Sequence, residues 1–199
     1  MKKNYEMDMC SGPILGKLLT FTIPLIFSGI LQLLFNAADV IVVGRFAGSQ
    51  SLAAVGSTTA LINLMINIFI GLSVGVNVIV ARYYGAKREK DVQDTIHTAM
   101  ALSIVSGLFL IILGQLLSRP MLELMGTPDD VIDKSTIYMR IIFIGMPANM
   151  IYNFGSAILR AVGDTKRPLY FLTAAGVINV VLNLFFVIMF RMDVAGVSL

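Results

Sequence analysis

The chain has 199 residues, 57% of them hydrophobic and 14% charged, with a mean hydropathy of +0.84, which is too apolar for a soluble globular domain of this length. Its formal net charge of +3 comes from basic residues spread over short separate segments rather than along one face, a pattern that argues for membrane topology and against a nucleic-acid partner. A single cysteine, Cys10, rules out an internal disulfide and sits in a polar arm without neighbours that point to metal or catalysis.

Five apolar runs, 18–43, 54–81, 96–117, 137–159 and 169–190, are long enough as helices to cross about 30 Å of hydrocarbon at about 1.5 Å per residue. Barrel strands need only about ten residues and alternate in polarity. The expected fold is therefore an all-α integral membrane protein, a polytopic helical bundle, with residues 1–17 as a cytoplasmic arm and 18–199 as a transmembrane lobe. No cleavable signal is expected, because the N-terminal thirteen residues are polar and the first apolar run is too long.

The first run carries Pro24, which is read as a kink in preference to a moving hinge. Further along, Ser28, Gln32, Asn36 and Asp39 fall on one narrow stripe at about 100° per residue. Asp39 is the one acid inside an apolar run. An ionisable group at membrane depth must face a bundle interior or a watery cavity, which makes it a candidate for function by default. The segment RFAGSQSLAAVG after Gly44 reads as a brief external link.

The second run brings Asn63 and Asn67, then Gly71 and Gly75 at the spacing that lets helices pack closely. It ends in the basic loop RYYGAKREKDVQD, where Tyr83 and Tyr84 are placed as interfacial anchors. His97, at the start of the third run, lacks a partner motif and reads as an interfacial residue in preference to a proton relay. The third run is the least polar and looks structural. The loop after it, SRPMLELMGTPDDVIDKST, holds a Thr-Pro-Asp-Asp turn and a short amphipathic helix around Met121–Met125. Pro147 interrupts the fourth run, which also carries Asn149 and Asn153, and the fifth carries Asn179 and Asn183.

Orientation follows from the cations. Lys2, Lys3, Lys17, Arg82, Lys87, Arg88, Lys90, Arg160, Lys166 and Arg167 lie on one side, against Arg45, Arg119, Lys134, Arg140 and Arg191 on the other. The richer side, with the N-terminus, is expected in the cytoplasm of a multi-pass cell (inner or plasma) membrane protein.

Gln32/Asn36, Asn63/Asn67, Asn149/Asn153 and Asn179/Asn183 are four amide pairs spaced i,i+4 on four separate helices. An unpaired amide in hydrocarbon costs a few kcal/mol, so these faces should turn toward one another or toward water. Interhelical glue, at about 0.6 kcal/mol per contact, is the plainer account. Eight amides with a carboxylate favour a hydrated cavity, Asn179 near the midplane and Asn36, Asn63, Asn183 and Asp39 in the outer half.

The runs LFNAADVIVVGRFAGSQSLAAVG, VARYYGAKREKDVQ and LRAVGDTKRP together make the chain resemble the N-terminal lobe of the multidrug and toxic compound extrusion (MATE) transporters. The resemblance implies a twelve-helix carrier of two six-helix lobes that exports small organic, often cationic, compounds in exchange for protons or sodium ions. It puts Asp39 at the family's first-helix cation-binding carboxylate and Asn179 with Asn183 at a fifth-helix pair that in some members reads Asn then Asp, so that Asp39 would act alone here. Phe35 stands where some members have tyrosine. The resemblance also implies a second lobe as partner, no cofactor besides a coupling Na+ or H+, and contact with membrane lipid. Under it the chain is expected to be a fragment, five complete helices with a sixth beginning near 195.

Other readings are a lipid-linked precursor flippase of the same superfamily, which would favour a cationic cavity, and a structural bundle subunit, which would not need Asp39. An intramembrane enzyme would want a second acid, a Ser/His arrangement or metal-ligand spacing within the apolar runs, and the sequence shows none.

Overall fold

The computed structural model describes residues 14–189, so residues 1–13 of the expected arm, Cys10 among them, and the expected start of the sixth helix lie outside the described residues, while residues 14–17 of that arm already belong to the first helix. All regular structure within them is helical: α1 (Ile14–Val42), a π-helical turn (Val43–Ala47), α2 (Gly48–Gly85), α3 (Glu89–Leu124), α4 (Asp129–Ile144), α5 (Met146–Ala161) and α6 (Lys166–Met189). Four helices are long and apolar enough to cross a membrane, and the bent pair α4 and α5 makes a fifth span if counted as one.

Most helices outrun the apolar stretches that announce them. Hydropathy marks the part that lies in hydrocarbon, whereas backbone hydrogen bonding continues into the interface wherever the side chains allow it. The third helix begins at Glu89, seven residues before the expected start at 96, because Glu89 and Asp91 in its first turn complement the positive helix end. It also absorbs the short amphipathic helix expected at Met121–Met125, running on through Pro120 to Leu124. The loop that follows shrinks to the turn at Gly126, whose φ of +71° suits glycine.

The expected link RFAGSQSLAAVG is likewise helical. The chain reverses within the π-helical turn and at Gly48, at φ +85°, and α2 begins there rather than at 54. Glycine and serine mark breaks in water-exposed chains, but Ser51, Ala54, Val55 and Thr58 here form one buried face of α2 and are worth more packed than looped. The fourth span breaks by 48° at Gly145, between Ile144 and Met146, so that Pro147 opens the first turn of α5, where its missing N–H has no helical partner to lose.

The main core joins α2, α3, α4 and α5 around Leu110, Leu122, Met139, Phe143, Met150 and Phe154, all fully buried. Small residues make this possible. Gly107 lies against Pro147 and Gly114 against the Phe143 ring so closely that a methyl at either glycine would clash. Ser57 and Ser135 meet across α2 and α4 at 3.2 Å, and Arg119 pairs with Glu123 and Asp133 where α3 meets α4.

The remaining two helices, α1 and α6, pack on each other. Among the side chains of α1 withdrawn from the surface, Phe21, Pro24, Ser28, Leu31, Phe35, Ala38 and Val42 recur at alternating steps of three and four, with Thr22, Leu25 and Asp39 beside them, the seam expected of helices crossing at a shallow angle. At the α5–α6 turn, Gly163 takes a φ of +86°, and the buried Asp164 accepts the backbone N–H groups of Lys166 and Arg167 at 3.1 Å each, capping α6.

Candidate functional site

The polar centre forms where the α1–α6 seam passes Asp39. Asn183 Nδ2 donates to Asp39 Oδ1 at 2.6 Å and to Asn179 Oδ1 at 3.3 Å, so one amide ties the first-helix carboxylate to both asparagines of the fifth span. Asn183 is 1% exposed, and its own Oδ1 is buried without a hydrogen-bond partner among the described residues. Asp39 and Asn179 are half-buried. Toward the C-terminal ends of α1 and α6, Val42 and Val43 pack with Val55 and Val187 in an apolar cluster beside the site.

The arrangement follows from helical spacing. Asp39 sits four residues after Phe35 and three before Val42, within the seam that α1 turns to α6, while Asn179 and Asn183 are one turn apart on α6. The buried Asn183 oxygen, the Asn179 oxygen and the carboxylate are all hard oxygen donors of the kind that hold a proton or a hard cation. Among the described residues no group of three or more His, Cys, Asp or Glu side chains gathers anywhere, so the site holds a single acid surrounded by amides.

The other expected site residues divide. Asn153 Nδ2 donates to the backbone oxygen and to Oδ1 of Asn149, at 2.9 and 2.6 Å, which joins that pair within α5. Gln32 and Asn36 lie on an exposed face of α1, and Asn63 and Asn67 lie on the side of α2 away from its buried face. These four are not drawn into hydrogen bonds with the Asp39 group among the described residues. Pro24 is buried within an uninterrupted α1, and its carbonyl accepts the Ser28 hydroxyl at 2.9 Å.

Two residues near these elements escape the pairwise amide pattern. Tyr138 of α4 packs against all three apolar clusters and lies within electrostatic reach of Asp39, so it bridges the bundle and the α1–α6 pair. Its place at the start of the fourth apolar run gave no sign of this. Asn77 Nδ2 donates to the Ala157 carbonyl at 2.7 Å and ties α2 to α5. It has no amide four residues away, and a search for lone asparagines within apolar runs would have found it.

The MatE family model matches residues 24–185. The probable multidrug resistance protein YoeA of Bacillus subtilis is 35% identical over 162 residues, covering 81% of this chain and 35% of its own length. YpnP of the same organism, also a probable multidrug resistance protein, is 30% identical over 191 residues, 96% of this chain and 43% of its own. Among solved structures, a MOP superfamily transporter from Pyrococcus furiosus superposes with a TM-score of 0.85 at 26% identity, covering 92% of this chain and 40% of that one. The chain thus spans about two fifths of the length of the relatives it matches. A family match over most of the sequence and a shared arrangement of spans lead to one conclusion: the chain belongs to the MatE family of membrane transporters.

Proposed function

We propose that this chain forms the first lobe of an ion-gradient-driven carrier that exports small organic, often cationic, compounds in exchange for protons or sodium ions, with Asp39 as the coupling site. The observation that supports this reading is the oxygen set at Asp39: a carboxylate bonded to Asn183, whose own amide oxygen is buried and unpaired among the described residues. A buried acceptor left without a donor carries a desolvation penalty that a bound cation or proton-bearing group relieves. Asp39 would hold the ion, Asn179 and Asn183 would complete its shell, and exchange with substrate would follow as the site opens to alternate sides.

In this reading a second lobe completes the carrier, the amides Gln32, Asn36, Asn63, Asn67, Asn149 and Asn153 line the substrate path between lobes, and the coupling ion is cargo rather than a resident cofactor. The protein sits in the cell membrane with its N-terminus in the cytoplasm, as the ten-to-five distribution of Lys and Arg favours.

The test is Asp39→Asn in the full-length carrier, reconstituted in proteoliposomes. Proton- or sodium-driven efflux is lost, while insertion, thermal midpoint and equilibrium substrate binding are kept, because asparagine preserves size and hydrogen bonding but not charge. Efflux at the parental rate from the variant overturns the role of Asp39. Imposing each gradient alone identifies the ion. Orientation is checked separately by Lys87→Cys in a Cys10→Ser background, which should resist an impermeant thiol reagent added outside intact cells; labelling from outside reverses the topology.

A further inference from the structure

We propose that Gly176 and Phe35 form a socket and key that set the register of α1 on α6 and thereby place Asp39 against Asn183; Gly176 is a positioning residue for the ion site, and this rests on the coupling role proposed for Asp39. The contact is direct. A methyl built on Gly176 would fall within the Phe35 ring, meeting Cε2, Cζ and Cδ2, and Gly176 is buried while most of α6 around it faces outward. Phe35 is the aromatic side chain of the seam nearest Asp39, Phe21 lying fourteen residues earlier in α1.

The socket lies one step from the chemistry. Phe35 precedes Asp39 by one helical turn on the same face, and Gly176 precedes Asn179 by three residues and Asn183 by seven. If Asp39 sits opposite Asn183, the same register carried back along parallel helices sets the Phe35 backbone opposite Asn179. The ring nevertheless reaches Gly176, since long helical side chains lean toward the N-terminus and cover the preceding turn. It therefore seats below the polar trio without displacing it.

The geometry makes the hydrogen bond sensitive to the socket. A helix pair held by one seam can slide or roll by an ångström or two, and the 2.6 Å contact between Asp39 and Asn183 ceases to be a hydrogen bond beyond about 3.5 Å. The glycine lets the backbones approach, as small residues do between membrane helices. A side chain there forces the ring out of its notch or lifts α1 off α6, and either movement separates Asp39 from Asn183.

The experiment uses the chain in nanodiscs, in a Cys10→Ser background carrying Val42→Cys and Val187→Cys, two positions packed in one cluster at the C-terminal end of the seam. Oxidative cross-linking reads register, and the infrared band of Asp39, assigned by its loss in Asp39→Asn in a chain without the added cysteines, reads the carboxyl's hydrogen bond. Gly176→Leu should slow cross-linking roughly tenfold or more, the scale of overpacking in a close-packed contact, and shift the band. Phe35→Ala added to Gly176→Leu should restore both by returning the lost room. Parental cross-linking and an unmoved band in Gly176→Leu overturn the socket, as does a double variant no better than the single one. If Gly176→Leu shifts the band but the same change in the full-length carrier leaves coupled efflux intact, the socket stands and the coupling role of Asp39 falls.

Discussion

The α2–α5 bundle and the α1–α6 pair are built from similar residues but packed on different terms. Of the four single-helix candidate spans, α3 is the most buried within the chain and α1 the least. The glycines of α3, Gly107 and Gly114, are filled by Pro147 and Phe143, whereas Gly16 and Gly29 of α1 look onto open space. The prolines differ in the same way: Pro147 opens a helix at a bend of 48° clasped by α3, while Pro24 lies in an uninterrupted helix that touches its neighbour along one seam. The lone membrane-embedded acid belongs to the loosely held pair. Close-packed interiors resist continuous deformation, so the ion-exchange role proposed for Asp39 would be better served on an element that can move against a firm frame.

That contrast is sharpest at Asn183, the side chain that bonds Asp39. Asn183→Ala should reduce coupled efflux of the full-length carrier by well over tenfold, since the carboxylate loses its amide donor and the ion loses an oxygen, while the thermal midpoint of the bundle hardly moves. A large fall in midpoint with efflux preserved would reverse the division of labour. Next in size is Gly114→Leu, which drives a side chain into the Phe143 ring and should cost roughly 1–3 kcal/mol; thermal denaturation in detergent measures it, and an unchanged midpoint would mean that the bundle is not the rigid part.

Smaller effects test the edges of the comparison. Removing the Ser57–Ser135 contact should cost about 0.6 kcal/mol in a double-mutant cycle, the usual worth of one polar contact between membrane helices. Smallest of all, Gly29→Ala meets nothing within 4 Å and should shift stability by less than about 0.5 kcal/mol. A larger loss at Gly29 would show that α1 uses its glycines for packing after all.

Hydropathy alone determined that the chain is helical and membrane-spanning, with five spans, because some twenty consecutive apolar residues admit few other structures in a bilayer. It located Asp39 as the acid with no place in lipid, and the i,i+4 spacing of Asn179 and Asn183 already put them on one face. It misplaced the ends of helices and read Arg45–Gly56 as a link, since glycine and serine lower hydropathy without breaking backbone hydrogen bonds. Tertiary structure alone decided which amides meet the acid. Asn179 and Asn183 reach it while Gln32, Asn36, Asn63 and Asn67 stay exposed, a choice that depends on how α1 is rotated against α6. Tyr138 and Gly176 became visible by the same route. A tyrosine that bridges three apolar clusters and a glycine that receives a ring carry no periodic signal of their own, because their roles lie in contacts between helices far apart in the chain.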